Sequence, residues 1–451
     1  MKKLLCKIIG AGLAGCEAAY QLSKRGVEVW LYEAKPDSFS PAHVSPNLAE
    51  LVCSNSLKSN DIHTASGLLK EELRLMDSLL IKTADECRVG AGGALAVDRE
   101  LFSGAISDRI RQNSNIKLIS EVVKEFDDTP TIIACGPLIL EPLASFLKQK
   151  LGSFLSFYDA AAPIISCDSI DMNHAFIQNR YDKGGADGDY INCPLTKDEY
   201  QLFIDELSKA KTAIKRDFEK GDVFEGCMPL EIMASRGGES LRFGPFKPVG
   251  LRDKDGNRPY AVLQLRKENS LGDMYNLVGC QTNLTFGEQK RVFGIIPALK
   301  DAEFLRYGVM HKNTFIDAPN VLDAGFSLKQ HPNVFIAGQL SGVEGYVESI
   351  MSGLVAGVNM FCRLSGCLSN APAEESSASL RMTNQFIPPI ESMTGSLTNY
   401  ITLPNKNFQP MNANFGLLPT INIKDKAKRK QFLSDRALES IKNAQNMLNG
   451  E

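Results

Sequence analysis

Gly10-Ala11-Gly12-Leu13-Ala14-Gly15 is the stretch that decides the fold, because it stands where a dinucleotide-binding turn belongs. The apolar run at 4–9 predicts a buried strand, and residues 13–25 predict an amphipathic helix. A second strand is predicted over 27–32. In such a βαβ unit the first glycine permits a tight turn, the second admits a pyrophosphate, and the third lets helix and strand pack closely.

Glu33 follows the second predicted strand, at the position of an acid that binds a ribose hydroxyl about 20 residues after such a turn. The phosphates would meet the N-terminus of the helix. A glycine motif alone is weak evidence, and the alternative is a βαβ turn that binds nothing. Because strand, helix, second strand and acid all agree, the sequence predicts a bound dinucleotide.

Length and composition indicate a globular enzyme of more than one unit. The 451 residues exceed the size at which one core usually keeps growing, so two or three units are expected. With 43% hydrophobic and 23% charged residues, the composition is ordinary for a soluble protein. The net charge of −3 argues against a globally basic RNA-coating protein but leaves room for a local basic groove.

The 11 cysteines do not predict a disulfide scaffold, because their number is odd and no C-x-x-C pair occurs. Several lie in apolar runs, among them Cys6, Cys16 and Cys280, which indicates buried thiols in a reducing cytoplasm. The spacing of Cys362 and Cys367 does not fit a zinc knuckle, and no metal site is predicted. No apolar run approaches about 20 residues, so no membrane span is predicted.

Strand and helix signals alternate through the first part of the chain and return near its end. We predict an α/β, Rossmann-like domain in two segments, 1–163 and 308–451, with an inserted α+β domain at 164–307. A charged helix is expected around 196–219 inside the insert. Residues 368–396 are expected to form a surface excursion, and 424–448 a helical tail whose basic start is a solvated face.

Two cysteines differ from the buried ones in their surroundings. Cys53 ends a short apolar run among polar residues and a lysine, and Cys227 lies in a Gly-Cys-x-Pro turn. A thiolate nucleophile needs partial exposure and polar or positive surroundings, which both positions offer. Local pattern alone still favours a structural role for each cysteine over a catalytic one.

The chain resembles the folate- and FAD-dependent tRNA (uracil-5-)-methyltransferases, and the resemblance extends from the first strand to about residue 418. It is carried by the strings IGAGLAGCEAAYQLSKRGVEVWLYE, ELVCSNSLKSN, GLLKEELRLMDSL, GGALAVDR, YDAAAPI, RYDKGGADGDYINCP, FEGCMPLE, FGPFKPVGL, YNLVGCQTNLTFGEQKRVF, FIAGQLSGVEGYVES and NKNFQPMNANFG. This many separate strings is far more specific than one glycine motif.

The resemblance implies a glutathione-reductase-type FAD domain. FAD would lie on Gly10, Gly12 and Gly15 of the turn, with Glu33 on its ribose. A second group would close around the pyrophosphate and the isoalloxazine ring: Gly338, Gln339, Gly342, Gly345 and Tyr346. In the family, NADH or NADPH reduces the flavin and methylenetetrahydrofolate supplies the one-carbon unit.

Cys227 aligns with the family cysteine that attacks C6 of uracil, and Cys53 with the one assigned to remove the C5 proton. Addition of a thiolate at C6 makes an enolate with electron density on C5, so covalent catalysis divides a difficult step in two. The two roles could be exchanged, and we favour Cys227 as the nucleophile. None of the five histidines forms a triad; His43, which precedes the Cys53 segment, is the best of them.

The RNA surface is expected mainly on the inserted domain. Loop uridines are recognised when splayed out and stacked on aromatic rings, and we name Tyr346 and Phe286 for that role. Basic side chains would bind phosphates. The candidates are Arg236, Arg242, Lys247, Arg252, Arg266, Lys290 and Arg291.

The leading interpretation is a cytoplasmic enzyme that methylates a T-loop uridine of tRNA. A second interpretation keeps the chemistry but moves it to a uridine of large-subunit ribosomal RNA. A third, of another class, is a flavin-binding, RNA-associated protein with little turnover, in which Cys227 would be dispensable. The oligomeric state stays open, and a monomer is compatible with the sequence.

Overall fold

The computed structural model of the protein describes residues 4–127, 129–152, 154–182, 188–214, 228–366, 385–406 and 408–449. The strands are β1 Leu5–Ile9, β2 Glu28–Glu33, β3 Ser56–Ser59, β4 Arg88–Val89, β5 Ala94–Val97, β6 Ile116–Ser120, β7 Thr131–Ile133, β8 Leu155–Ala160, β9 Ile164–Ser166, β10 Phe176–Ile177, β11 Tyr190–Leu195, β12 Ala261–Lys267, β13 Met274–Leu277, β14 Phe304–Arg306, β15 Met310–Phe315, β16 Ser327–Leu328 and β17 His331–Ile336. The α-helices are α1 Leu13–Ser23, α2 Ala65–Leu75, α3 Leu79–Glu86, α4 Arg99–Gln112, α5 Glu141–Leu151, α6 Lys197–Lys209, α7 Leu230–Ser235, α8 Ser240–Phe243, α9 Phe286–Phe293, α10 Ala318–Val321, α11 Tyr346–Ser365, α12 Met393–Thr402 and α13 Lys426–Asn449.

The first sheet has the strand order β16-β17-β7-β1-β2-β6, and all of its neighbours are parallel except β16 and β17. Helix α1 connects β1 to β2 and packs against α11. This approach is close: a Cβ on Gly353 would lie 2.2 Å from the Ala14 carbonyl oxygen. The predicted Rossmann-like α/β class and the opening βαβ unit are confirmed.

The second sheet is antiparallel, in the order β10-β11-β12-β13-β9-β14. Helices α6 and α9 contribute to the same hydrophobic core as its strands. Its core is a hydrophobic cluster separate from that of the first sheet. Strands β8 and β15 pair where the chain passes between the two sheets. The domain boundaries after 163 and 307 stay a prediction, which the two separate cores support.

Two expectations were wrong. The charged helix ends at Lys209 instead of continuing to 219, because Ala210 is extended and Thr212 pairs with Leu284 in an isolated β-bridge. Residues 215–219 lie outside the described part. The segment 385–396 is not a surface excursion either: Phe386 is buried, and so is the start of α12.

Glu72 explains why that segment is buried. Its carboxylate accepts the N–H groups of Met393 and Thr394 at 2.7 and 2.8 Å, so it caps the N-terminus of α12 from inside the core. Burial raises the pKa of Glu72 to about 7. The stretch 368–384 lies outside the described residues.

Helix α11 is long and apolar enough to cross a membrane by length and composition. In the fold, 83% of the most apolar 18-residue stretch of this helix is buried against the rest of the chain. The core helix of a globular protein passes the same test, so this helix is weak evidence for a span. The basic start of α13 is exposed, as predicted, while Leu433, Ala437 and Ile441 anchor the helix to the core.

Candidate active site

A cavity of about 690 Å³ lies at the carboxyl ends of β1, β2, β7 and β17. This is the edge at which ligands gather in open α/β sheets, and the volume falls in the range of roughly 300 to 1,000 Å³ that is typical of ligand sites. It is called the central cavity below. Most of the predicted site residues line it: Gly10, Ala11, Gly12, Leu13, Ala14, Glu33, Cys53, Gly338, Gln339, Gly345 and Tyr346.

Each glycine of the opening turn has a separate steric role. Gly10 has a φ of +97°, and a Cβ there would lie 2.7 Å from the Ala134 carbonyl oxygen. A Cβ on Gly15 would lie 1.8 Å from the Gly10 carbonyl oxygen, so this glycine permits close packing without lining the cavity. A Cβ on Gly12 would meet nothing within 4 Å, because that side faces the cavity.

The same turn is suited to an anion and a ribose. Helix α1 begins at Leu13 without a side-chain cap, so its first N–H groups are available to phosphate oxygens. Glu33 accepts the N–H groups of Ala11 and Lys35 at 2.8 and 3.1 Å, which holds its carboxylate beside the turn. The residues present therefore fit the dinucleotide part of FAD.

Of the second predicted glycine group, Gly338 and Gly345 line the cavity and Gly342 does not. Gly338, with a φ of +76°, and Gly345, with a φ of +117°, line the cavity together with Gln339. Gly342 does not line it: its φ is +92°, and a Cβ there would lie 2.4 Å from the Phe408 ring. Gly342 is therefore a packing position in this structure, and its predicted contact with the cofactor is unsupported.

Cys53 lines the cavity and lies on a loop. Three side chains form hydrogen bonds with the backbone of that loop. The phenol oxygen of Tyr346 accepts the N–H groups of Cys53 and Ser54 at 2.7 and 3.1 Å. Arg99 donates to the Cys53 carbonyl at 3.1 Å and also to the Leu51 carbonyl. Arg306 donates to the Val52 carbonyl at 2.7 Å.

Arg99 also joins the two domains at this loop. It forms a salt bridge of 2.6 Å with Glu268, whose side chain is 1% exposed, just after β12 of the inserted domain. Arg266 of β12 donates to Asn55 and Ser54 at 2.9 and 2.8 Å. The half-buried thiol of Cys53 is therefore positioned by both domains.

Tyr346 was predicted to belong to the group that closes around the cofactor and to stack on a uridine. In the structure its hydroxyl carries the Cys53 loop, and burial together with the nearby Cys53 thiol raises the pKa of that hydroxyl. A protonated phenol keeps its oxygen lone pairs as acceptors for the two N–H groups. Tyr346 is therefore assigned as a positioning residue for Cys53.

The cavity is also lined by a buried acid, Glu344, that the sequence did not reveal. Gln339 donates its amide to both oxygens of Glu344, at 2.9 and 2.8 Å. Burial, with the negative charge of nearby Asp159, raises the pKa of Glu344 to about 8. A carboxyl group that holds its proton near neutral pH can donate as well as accept a hydrogen bond.

Two histidines line the cavity. His43, the best histidine candidate from the sequence, contacts Ser40 through Nδ1 at 2.6 Å. Burial and the charge of Lys35 lower its pKa, and burial and Arg306 lower the pKa of His311. Neutral imidazoles are therefore expected on this wall.

Cys227 lies outside the described residues, and so do its neighbours back to 215. The chain is described again from Met228, and the Leu230 N–H donates to the Gln281 carbonyl at 2.8 Å. Gln281 lines the central cavity. The described chain that follows Cys227 thus contacts the cavity wall three residues later.

The predicted RNA-binding side chains fall into three groups. Lys247, Arg252 and Lys290 are exposed on the inserted domain, and so is Arg236. Arg242 and Arg291 are paired with Glu239, and with Glu288 and Glu206, which would compete with a phosphate. The prediction that Arg266 binds RNA was wrong. The Arg266 side chain is 6% exposed, and its guanidinium group donates to residues of the Cys53 loop.

Arg99, Arg306, Glu344 and His311 were not found by sequence reasoning. Arg99 and Glu344 do stand inside two of the family-typical strings, GGALAVDR and FIAGQLSGVEGYVES. That position was the available signal for them. Arg306 and His311 stand in no such string.

The family described as glucose inhibited division protein A matches residues 5–367 of the chain. The methylenetetrahydrofolate--tRNA-(uracil-5-)-methyltransferase TrmFO of Bacillus cereus strain AH187 is 50% identical over 452 aligned positions, covering 99% of this chain and 100% of that protein. The chain belongs to the TrmFO family. The TrmFO of Bacillus anthracis shows the same identity and coverage.

Among solved structures, Aquifex aeolicus GidA in two crystal forms is similar to this family member. The TM-scores are 0.70 and 0.69 at 14% sequence identity, covering 99% of this chain and 75% or 76% of GidA. At this identity the likeness concerns the fold alone. The two-sheet arrangement described above is therefore shared with GidA.

Proposed function

We propose that this protein is a folate- and FAD-dependent methyltransferase that transfers a one-carbon unit to C5 of a uridine in tRNA. The finer proposal is that the uridine lies in the T-loop and that the enzyme works in the cytoplasm. The observation that carries it is the convergence of the glycine turn and Cys53 on one cavity, in a chain 50% identical along its length to TrmFO. The nine cysteines in the described part of the chain are all free thiols, in keeping with a reducing compartment.

FAD would be held by Gly10, Gly12, the start of α1 and Glu33, and reduced FAD supplies the hydride chemistry that turns a methylene carbon into a methyl group. Gly338, Gln339 and Gly345 would border it on the opposite side. NADH or NADPH is the reductant, and methylenetetrahydrofolate is the one-carbon donor.

Cys227 would add to C6 of the uracil, forming an S–C6 bond and moving the C5=C6 electron pair towards C5 and O4. Once C5 has bonded to the one-carbon unit, Cys53 would take the C5 proton, and the released electron pair would break the bond between that carbon and its amine carrier, leaving a methylene double bond at C5. A hydride supplied from reduced FAD would convert this methylene to the methyl group, and the electron pair that returns to C5=C6 would expel the Cys227 thiolate. Tyr346, Arg99 and Arg306 hold the Cys53 loop at three consecutive peptide groups, so this thiol is fixed before the base arrives.

The test compares methylation of an unmodified tRNA transcript with that of large-subunit rRNA fragments, using protein whose flavin absorption bands have been recorded. We expect methylation of tRNA only. Signal confined to rRNA would refute the choice of substrate. Methylation that persists undiminished in Cys227→Ala would refute the proposed chemistry.

A tRNA that contains 5-fluorouracil assigns the two thiols, because fluorine at C5 cannot leave as a proton and the adduct accumulates. We expect Cys227→Ser to abolish the adduct and Cys53→Ser to retain it. The matched control is Cys167→Ser, a half-buried cysteine that does not line the cavity. The opposite pattern would exchange the two roles.

A further inference from the structure

Three aromatic rings form a continuous stack on the inserted domain. The rings of Phe304 and Tyr307 lie 5.2 Å apart with planes 4° from parallel. Tyr307 stacks in turn on Phe286, at 4.6 Å and 15°. Aromatic side chains pack either edge to face or in offset stacks. Because these three rings are stacked nearly parallel, another flat ring could continue the stack at its end.

The outermost ring of the stack is open. Phe286 is 54% exposed although Tyr307 covers one face of its ring. An exposed phenylalanine of this kind is costly to keep in water, since about 25 cal/mol is lost for each Å² of apolar surface left uncovered. The other face is therefore available to a flat partner.

A cation stands beside this ring. Phe286 begins helix α9, and Lys290 lies four residues later, on the same face of the helix, and is exposed. Arg291, one residue further, is engaged by Glu206 and Glu288. An open aromatic ring next to a lysine is the combination that proteins use to bind single-stranded nucleic acid, one group for a base and the other for its phosphate.

The stack adjoins the wall of the central cavity. The side-chain amide of Gln289, on the same helix, donates to the Gly308 carbonyl and accepts from the Gly308 N–H, both at 2.8 Å. Gly308 in turn lies against Ala161, a residue that lines the cavity: a Cβ on Gly308 would lie 2.7 Å from the Ala161 carbonyl oxygen. Tyr307 also follows Arg306, which holds the loop that carries Cys53. A base on Phe286 would thus lie on the outer side of the wall that encloses the reactive thiol.

We propose that Phe286 is a stacking platform for an unpaired base of the RNA substrate, with Lys290 on the adjoining phosphate. The Phe286 ring lies outside the cavity wall, so the base that stacks on it cannot be the uridine inside the cavity. We therefore assign it to a nucleotide next to that uridine. This inference rests on the proposed function, since it names a contact for the RNA on which that function acts.

The test measures binding of a fluorescein-labelled, unmodified tRNA transcript to the FAD-loaded protein at several salt concentrations. Phe286→Ala is expected to raise Kd about tenfold, in line with the loss of one stacked base, without changing the slope of log Kd against log salt. Lys290→Ala is expected to reduce that slope by about 1. Phe286→Trp should restore binding, and flavin reduction by NADH or NADPH should stay unchanged in all three variants.

Phe243→Ala is the matched control, because Phe243 is 78% exposed on the same domain and the described rings include no partner for it. An unchanged Kd in Phe286→Ala, or an equal loss in Phe243→Ala, would overturn the platform. So would a change of oligomeric state in Phe286→Ala with tRNA affinity retained, which would make the ring a protein contact. Wild-type methylation of tRNA, measured in parallel, separates these outcomes from a failure of the proposed function.

Discussion

The two ends of the central cavity are built in different ways. The turn end is made of backbone: Gly10, Gly12 and Gly15 shape it by the Cβ atoms they lack. The thiol end is made of side chains, since Tyr346, Arg99 and Arg306 reach in from different parts of the chain to hold the loop of Cys53. One end therefore depends on steric fit, and the other on satisfied charges and hydrogen bonds.

The largest expected effect is the loss of the turn end in Gly15→Val. Because a Cβ at this position would lie 1.8 Å from the Gly10 carbonyl oxygen, β1 and α1 must separate. We expect no flavin absorption in the purified variant and a large fall in the Tm of the apoprotein. Both are read from a visible spectrum and a thermal melt.

Gly12→Val is the matched control, because a Cβ there meets nothing within 4 Å and φ is −75°, which any residue adopts. This variant should lose flavin, since its side chain enters the cavity, yet keep the apoprotein Tm within a few degrees of wild type. Flavin retained at wild-type levels in Gly12→Val would show that the turn does not hold the cofactor.

The next effect concerns the thiol end. Arg99→Ala would leave the Glu268 carboxylate buried without its partner and release two carbonyl groups of the Cys53 loop. Removing one member of a buried ion pair typically costs about 3 to 5 kcal/mol, and urea denaturation measures that loss. The alkylation rate of Cys53 by iodoacetamide should change at the same time, while bound flavin stays near its wild-type ratio.

Arg99→Lys sharpens the comparison. A lysine keeps the charge opposite Glu268 but lacks the planar fork that also reaches the carbonyls of Leu51 and Cys53. We therefore expect most of the stability to return and the altered alkylation rate to remain. If both variants alkylate Cys53 like wild type, the arginine does not position the thiol.

The contrast between the two ends also explains what the sequence could predict. The turn, its helix and Glu33 are neighbours along the chain, so their spacing alone predicted both structure and position. Cys53 was found through its family string, whereas Arg306 lies more than 250 residues away and is linked to it only by the folded chain. The contact of the Tyr346 hydroxyl with the Cys53 loop was missed for the same reason, while the predicted contact of its ring with the cofactor stays a prediction.

Burial was equally hard to predict for polar segments. Residues 385–396 were expected at the surface because of their composition, yet Phe386 and residues 392–396 are buried, and Glu72 caps the N-terminus of α12 there. Arg266 was expected on RNA and instead holds Asn55. In both cases a charged side chain is buried because a distant partner satisfies it, and one sequence does not display such partners.

The smallest effect concerns Glu344 and the pH dependence of stability. Burial beside Asp159 raises its pKa from 4.5 to about 8, so the folded protein holds this proton more tightly than the unfolded chain does. The resulting stabilisation is fully present below pH 4.5 and is lost as the pH rises towards 8. Glu344→Gln has no proton to lose, so its Tm should fall less steeply between pH 5 and pH 8 than that of wild type. We expect the two profiles to diverge steadily across this window, with the exposed Glu439→Gln as the matched control. Parallel pH profiles of wild type and Glu344→Gln would show that the pKa of Glu344 is not raised, and the cavity would then carry a fixed negative charge in this pH range in place of a proton donor.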